Sequence, residues 1–218
     1  MSKITTVLFD YDGTLMDTND IIIQSWQHVF RTLTGAESDV KQILASFGEP
    51  LRETMRRFFP DSDLEACVEL YRSYQVSFYQ EKVRMFPGTE ALIRNLKERG
   101  IKLAVVTSRL RPTTIEGLEK YGLSERFDCI VTADDTQKHK PDPEPVLIAL
   151  QRLKSSPQEA LMVGDSMFDM RCGQGAGVGT VLVNWAMAAQ TQQEISGFSA
   201  DYCIDRPEAL LEIIDRSC

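Results

Sequence analysis

Histidine is nearly missing from this chain: 218 residues contain only His28 and His139. Imidazole catalysis needs a ring aimed at a reacting group. His28 falls inside a stretch of helical periodicity and His139 stands beside a lysine on a loop, so neither suits that part. Positive charge is also short, with 24 Lys and Arg against 32 Asp and Glu and a net charge of −8. That balance argues against nucleic-acid partners, whose binding proteins carry a basic footprint, and against anionic membrane surfaces. No apolar run approaches the ~20 residues that cross a bilayer, and residues 1–6 run straight into a strand without a secretory pattern. The five cysteines (Cys67, Cys129, Cys172, Cys203 and Cys218) are odd in number and lack metal-type spacing. They read as reduced thiols of a cytoplasmic protein, with Cys67 and Cys129 in its core. Internal repeats and low-complexity tracts are absent, and the acidic surface is compatible with a monomer or a homodimer.

What is present divides by pattern. Val7–Phe9, Leu103–Val106, Cys129–Val131, Leu161–Val163 and Val181–Val183 are short continuous apolar runs. Such runs suit strands of a parallel sheet covered on both faces. Helical patterns lie between them, over roughly 88–99, 112–122, 143–154, 167–176 and 207–216. Strand and helix alternate from residue 100 onward, which predicts a doubly wound, Rossmann-like α/β core. Residues 17–82 break the rhythm. Ile22, Trp26, Val29, Phe30 and Leu33 recur at helical spacing, as do Leu51, Met55, Phe58 and Phe59, then Leu64, Cys67, Val68, Tyr71, Tyr74 and Phe78. The expected organisation is a core of residues 1–16 and 83–218 with a helical cap domain, 17–82, inserted after the first strand through hinges near 15–20 and 80–87.

The polar signals fall where apolar strands end. Asp10-Tyr11-Asp12-Gly13-Thr14 follows Val7-Leu8-Phe9, and Gly13 permits the turn that ends the strand. Two carboxylates held together repel one another and stay ionised only beside a cation or strong donors. Thr107-Ser108 follows the second apolar run, Lys140-Pro141 comes a short loop after the third, and Gly164-Asp165 with Asp169 follows the fourth. In open α/β sheets ligands bind at the carboxyl ends of strands. Four strands thus deliver four acids, a threonine and a lysine to one rim. Taken singly, several of these have plainer readings: Asp165 as a helix N-cap, Asp169 as an acid meeting a helix dipole, Thr107 as a strand end, Lys140 as a solvated loop lysine with Lys138 its rival. Pro141 favours Lys140, because it keeps that residue out of a helix while Asp142 as N-cap and Pro143 at N1 fix the helix behind.

These signals in this order resemble the haloacid dehalogenase-like superfamily of aspartate-nucleophile phosphohydrolases. Lys140–Val146, Ala160–Asp165 and Gly173–Gly177 are similar to its branch of phosphoglycolate phosphatases and bacterial pyrophosphatases. The resemblance implies that Asp10 attacks phosphorus and Asp12 acts as general acid and then base. It implies Mg²⁺ held by the Asp10 side chain, the Asp12 carbonyl oxygen and Asp165, with Asp169 holding a metal-bound water. Thr107 and Ser108 would bind phosphate oxygens, Lys140 would stabilise the transferring group, and Arg109 would reach the leaving group. Arg52 and Arg56, one turn apart beside Gly48-Glu49-Pro50, could place a basic spot over the phosphate, although a solvated helix face is the commoner explanation. The expected substrate is a small phosphorylated metabolite, inorganic pyrophosphate first and 2-phosphoglycolate second. A sugar-phosphate mutase is the enzymatic alternative, disfavoured by Thr14, and a non-catalytic phospholigand-binding regulator is the other. Dehalogenase chemistry is disfavoured by Asp12.

Overall fold

The computed structural model describes residues 3–187 and 199–217; Cys218 lies outside them. The chain opens with β1 (Thr6–Phe9), then passes through the two-residue strand β2 (Met16–Asp17) into four helices: α1 (Asn19–Thr34), α2 (Val40–Leu44), α3 (Leu51–Phe58) and α4 (Leu64–Lys82). It returns through β3 (Arg84–Met85), which pairs antiparallel with β2 and ties the two crossings together. There follow α5 (Thr89–Glu98), β4 (Lys102–Val106), α6 (Arg111–Lys120), β5 (Cys129–Val131), α7 (Glu144–Leu153), β6 (Ala160–Gly164), α8 (Met167–Ala176), β7 (Gly179–Val183), β8 (Tyr202–Ile204) and α9 (Ala209–Asp215).

The main sheet has six parallel strands in the order β5-β4-β1-β6-β7-β8. The α/β expectation holds, with each predicted strand in place. The sixth, β8, was not foreseen: Tyr202-Cys203-Ile204 is a three-residue edge strand between Asp201 and Asp205, with Cys203 exposed. The inner strands are apolar on both faces because helices cover both. Val7, Phe9, Leu103, Val105 and Val163 join a cluster with Ile93, Leu96 and Leu118, while Leu8, Ala104, Val106 and Met162 pack against Val146, Ala149 and Cys172. Cys67 and Cys129 are buried, as expected.

The helical segment between β2 and β3 keeps an apolar cluster of its own, built on Trp26, Val29, Ile43, Phe47, Met55, Phe59, Cys67 and Tyr71. Trp26 packs edge-on to Phe58 and tilted against Tyr71. Because β1 is central and the chain passes from it first to β4 and later to β6, the strand order reverses there. A crevice therefore opens beyond the carboxyl ends of β1, β4 and β6. Among the described residues, no helix is long and apolar enough to cross a membrane.

Candidate active site

The backbone turns sharply just after β1. Gly13 has φ +75°, and a Cβ built there would lie 2.1 Å from an Asp165 oxygen, so only glycine lets this turn press against the loop after β6. The close approach brings the Asp10 and Asp165 loops together. Carboxylate oxygens of Asp10, Asp165 and Asp169 lie within 4.8 Å of one another, all three buried.

Lys140 reaches into this group from the loop before α7. Its Nζ donates to Asp10 Oδ1 at 2.6 Å, to Asp169 Oδ1 at 2.5 Å and to the Val106 carbonyl at 3.1 Å. The Lys140–Pro141 peptide is cis. Asp142 accepts from the Glu144 N–H at 3.0 Å, but α7 starts at Glu144 with Pro143 at its N-cap, one residue later than the Asp142 cap that the sequence suggests. Lys138, the rival lysine, instead lies exposed against Asp142. Asp169 is fixed from its other side by Ser166, whose backbone N–H (3.1 Å) and hydroxyl (2.5 Å) both donate to Oδ2. This is a capping box at the start of α8. Its Ser-x-x-Asp pattern was legible in the sequence and would have found Ser166.

Charge in this cluster does not balance: three buried carboxylates share one ammonium. Burial, reinforced by the neighbouring Asp169 and Asp12, pushes the Asp10 carboxyl up to about 7 despite Lys140. Asp165 is raised well above the ordinary range by burial and then by the charges of Asp10 and Asp169. Burial alone would lower the Lys140 pKa, but Asp10 and Asp169 together outweigh it and raise it. Oxygen-only donors with surplus negative charge fit a hard divalent cation.

Asp12 lies apart from this cluster. Its carboxylate, 26% exposed, is gripped by the Arg109 guanidinium: Nη2 donates to Oδ1 at 2.9 Å and Nε to Oδ2 at 3.1 Å. Thr107 is buried and its hydroxyl accepts from the Arg109 N–H at 3.1 Å. Among the described residues the buried Ser108 hydroxyl has no hydrogen-bond partner, and it lies at the pocket wall. Asp10, Asp12, Thr107, Ser108, Arg109, Lys140 and Asp165 all line one cavity of about 210 Å³. Its other walls are Leu110 and Thr113 at the start of α6 and residues of the helical segment, among them Trp26, Glu49, Arg72 and Gln75. Trp26 thus serves both as packing and as lining. The 46–49 turn reaches down to the core: Gly48 has φ +82° and leaves no room for a Cβ against Ser166 and Phe168.

Arg52 corrects the sequence reading. It does not line the cavity but forks onto Glu65 across the outer surface, at 2.5 and 2.6 Å. The plainer reading of this position as a solvated helix face describes it. Sequence reasoning missed Gln75 and Tyr79 of α4, which meet Arg109 from above; helical periodicity marks them as inward-facing but names no partner. His139 is half-buried beside Thr136, and His28 stacks on Tyr74, both away from this cavity.

A model of the haloacid dehalogenase-like hydrolases matches residues 7–183. The chain is 40% identical over 97% of its length to a Caldanaerobacter subterraneus protein provisionally named pyrophosphatase PpaX, covering 95% of that relative. It is 36% identical to the pyrophosphatase PpaX of Halalkalibacterium halodurans, covering 97% of each chain. A crystal structure from Lactobacillus plantarum, provisionally named a phosphoglycolate phosphatase, superposes with a TM-score of 0.86 at 28% identity, over 98% of this chain and 100% of the other. With its parallel sheet, its converging acids and these relatives, the chain belongs to the haloacid dehalogenase-like hydrolase family.

Proposed function

We propose that this enzyme is a Mg²⁺-dependent phosphohydrolase that acts through an aspartyl-phosphate, with inorganic pyrophosphate as first substrate and 2-phosphoglycolate as second. One observation carries the reading: Asp10, held by Lys140 at 2.6 Å, faces a cavity that Asp12, Thr107 and Ser108 also line. The PpaX relatives support pyrophosphate.

In this reading an Asp10 oxygen bonds to phosphorus as the bond to the leaving oxygen breaks. Asp12 protonates that oxygen and then takes a proton from the water that releases phosphate from Asp10. The Thr107 hydroxyl and the Ser108 backbone N–H bind non-bridging oxygens, and Lys140 stabilises the charge that builds on the transferring group. Asp10 and Asp165, together with the Asp12 carbonyl, would hold the cation, which offsets the repulsion between carboxylates and phosphate. Asp169 aligns Lys140 and would hold a water of the cation. Residues 17–82 act as a cap that excludes bulk water, and the enzyme works in the cytoplasm.

The test is phosphate release from pyrophosphate, phosphoglycolate, sugar phosphates and nucleotides. Pyrophosphate is expected to give the highest kcat/KM, excess chelator to abolish activity and Mg²⁺ to restore it. Asp10→Asn is expected to lower kcat by at least ~10³. Full activity of that variant would refute the nucleophile, and full rate in chelator would refute the metal.

A further inference from the structure

Two unlike sets of groups line the cavity beside Asp10. The acids, Thr107, Ser108 and Lys140 suit a phosphoryl group, but much of the remaining lining is apolar: Ile22, Trp26, Phe47, Leu51, Val76 and Leu110. Ile22 and Trp26 stand one turn apart on α1, Leu51 opens α3, Val76 lies on α4 and Leu110 precedes α6. Phe47 belongs to the 46–49 turn, so five separate segments bring apolar side chains to one space. Val76 is 62% exposed, the most of any large hydrophobic among the described residues. A single exposed valine is ordinary. This one continues an apolar wall that already lines a cavity. The charged groups on the same lining are opposite in sign. Glu49 is held by Arg57 at 2.5 Å and by the Thr54 hydroxyl at 2.8 Å, and Arg72 stands one turn before Val76.

Pyrophosphate carries oxygen on every side and gains nothing from such a wall, which removes its water without offering donors. An alkyl group gains there with every methylene withdrawn from water, by ~4-fold in affinity each. A few polar groups beside a mostly apolar lining is the usual make-up of a site for an organic ligand. We infer that the enzyme hydrolyses a second class of substrate, phosphate monoesters of apolar alcohols, with Asp10 as nucleophile as proposed above and the alkyl portion against this wall. An Asp10 oxygen bonds to phosphorus as the bond from phosphorus to the alkyl oxygen breaks, and Asp12 gives that oxygen its proton, releasing the neutral alcohol. Water then attacks the phosphorus and yields its proton to Asp12, freeing phosphate and the Asp10 carboxylate.

The test is a series of methyl, ethyl, butyl and hexyl phosphates assayed with Mg²⁺. Their alkoxides differ little in basicity, so chain length reads contact with the wall rather than leaving ability. From methyl to butyl phosphate kcat/KM is expected to rise by at least ~20-fold. Val76→Ser should shrink the butyl-to-methyl ratio by at least ~3-fold. Val40→Ser, the same change at an exposed position of α2 outside the cavity, should leave that ratio as it is. A flat series would overturn the inference, as would an equal loss in both variants, which would trace the effect to the stability of the helical segment. A second measurement needs no turnover: calorimetric titration of the Mg²⁺-loaded protein with methyl-, ethyl- and butylphosphonate. Kd should fall by at least ~20-fold from methyl to butyl, and a constant Kd would overturn the inference. Failure of the hydrolase reading is distinct, because phosphonate affinities report on the wall even if no ester or pyrophosphate is cleaved.

Discussion

The Lys140 Nζ stands 2.6 Å from an Asp10 carboxylate oxygen, linking the loop before α7 to the end of the central strand. The ammonium is 2% exposed, so its charge acts on the reacting group with little screening by water. Lys140→Met is expected to cut kcat by at least ~10², with KM changing less than ~threefold, because the charge matters most as the transition state forms. Steady-state kinetics decide it: normal kcat with weaker binding would contradict this role.

The acidic cluster should make the metal-free protein sensitive to pH. The Asp10 carboxyl rises from 3.8 to about 7 on folding, and Asp165 is raised as well. Between those values the folded state binds more protons than the unfolded chain, so stability is greatest at low pH and is lost as pH climbs. The melting temperature of metal-free protein should fall from about pH 5 to about pH 8. Asp165→Asn removes one repelling carboxylate, so the metal-free variant should melt above native protein at the higher pH, and Mg²⁺ should stabilise native protein more than the variant. A flat metal-free profile would count against the charge imbalance.

Gly117 on α6 has no room for a side chain. A Cβ there would lie 1.8 Å from the Tyr11 hydroxyl and 2.5 Å from that of Tyr79. Alanine is the better helix former by ~1 kcal/mol, yet Gly117→Ala is expected to destabilise by ~1–3 kcal/mol through overpacking. Adding Tyr11→Phe should recover most of that loss, a non-additivity that urea unfolding of the two singles and the double would reveal. Additive effects would mean that α6 simply shifts aside.

Much of this is legible in the sequence. The apolar runs ending at Phe9, Val106 and Val163 are strands because a sheet covered on both faces must be apolar on both, and Asp10, Thr107 and Asp165 follow those ends directly. Arg52 shows where that logic stops: helical spacing puts it near the 46–49 turn, but Glu65, thirteen positions later, draws it outward. Asp12 was foreseen as a free acid beside Asp10, and its capture by Arg109 was not, because a contact between positions 12 and 109 depends on how β1 and β4 pair.

By itself, then, the sequence determined five of the six sheet strands and the helices that alternate with them, the acids at the strand ends and the glycine turn at Gly13, since each follows from local periodicity or backbone freedom. Only the tertiary structure decided which charges neutralise which: Lys140 with Asp10 and Asp169, Arg109 with Asp12, Arg52 with Glu65. Buried charges pair with whatever opposite charge lies within a few ångströms, and chain folding sets that distance independently of separation along the sequence.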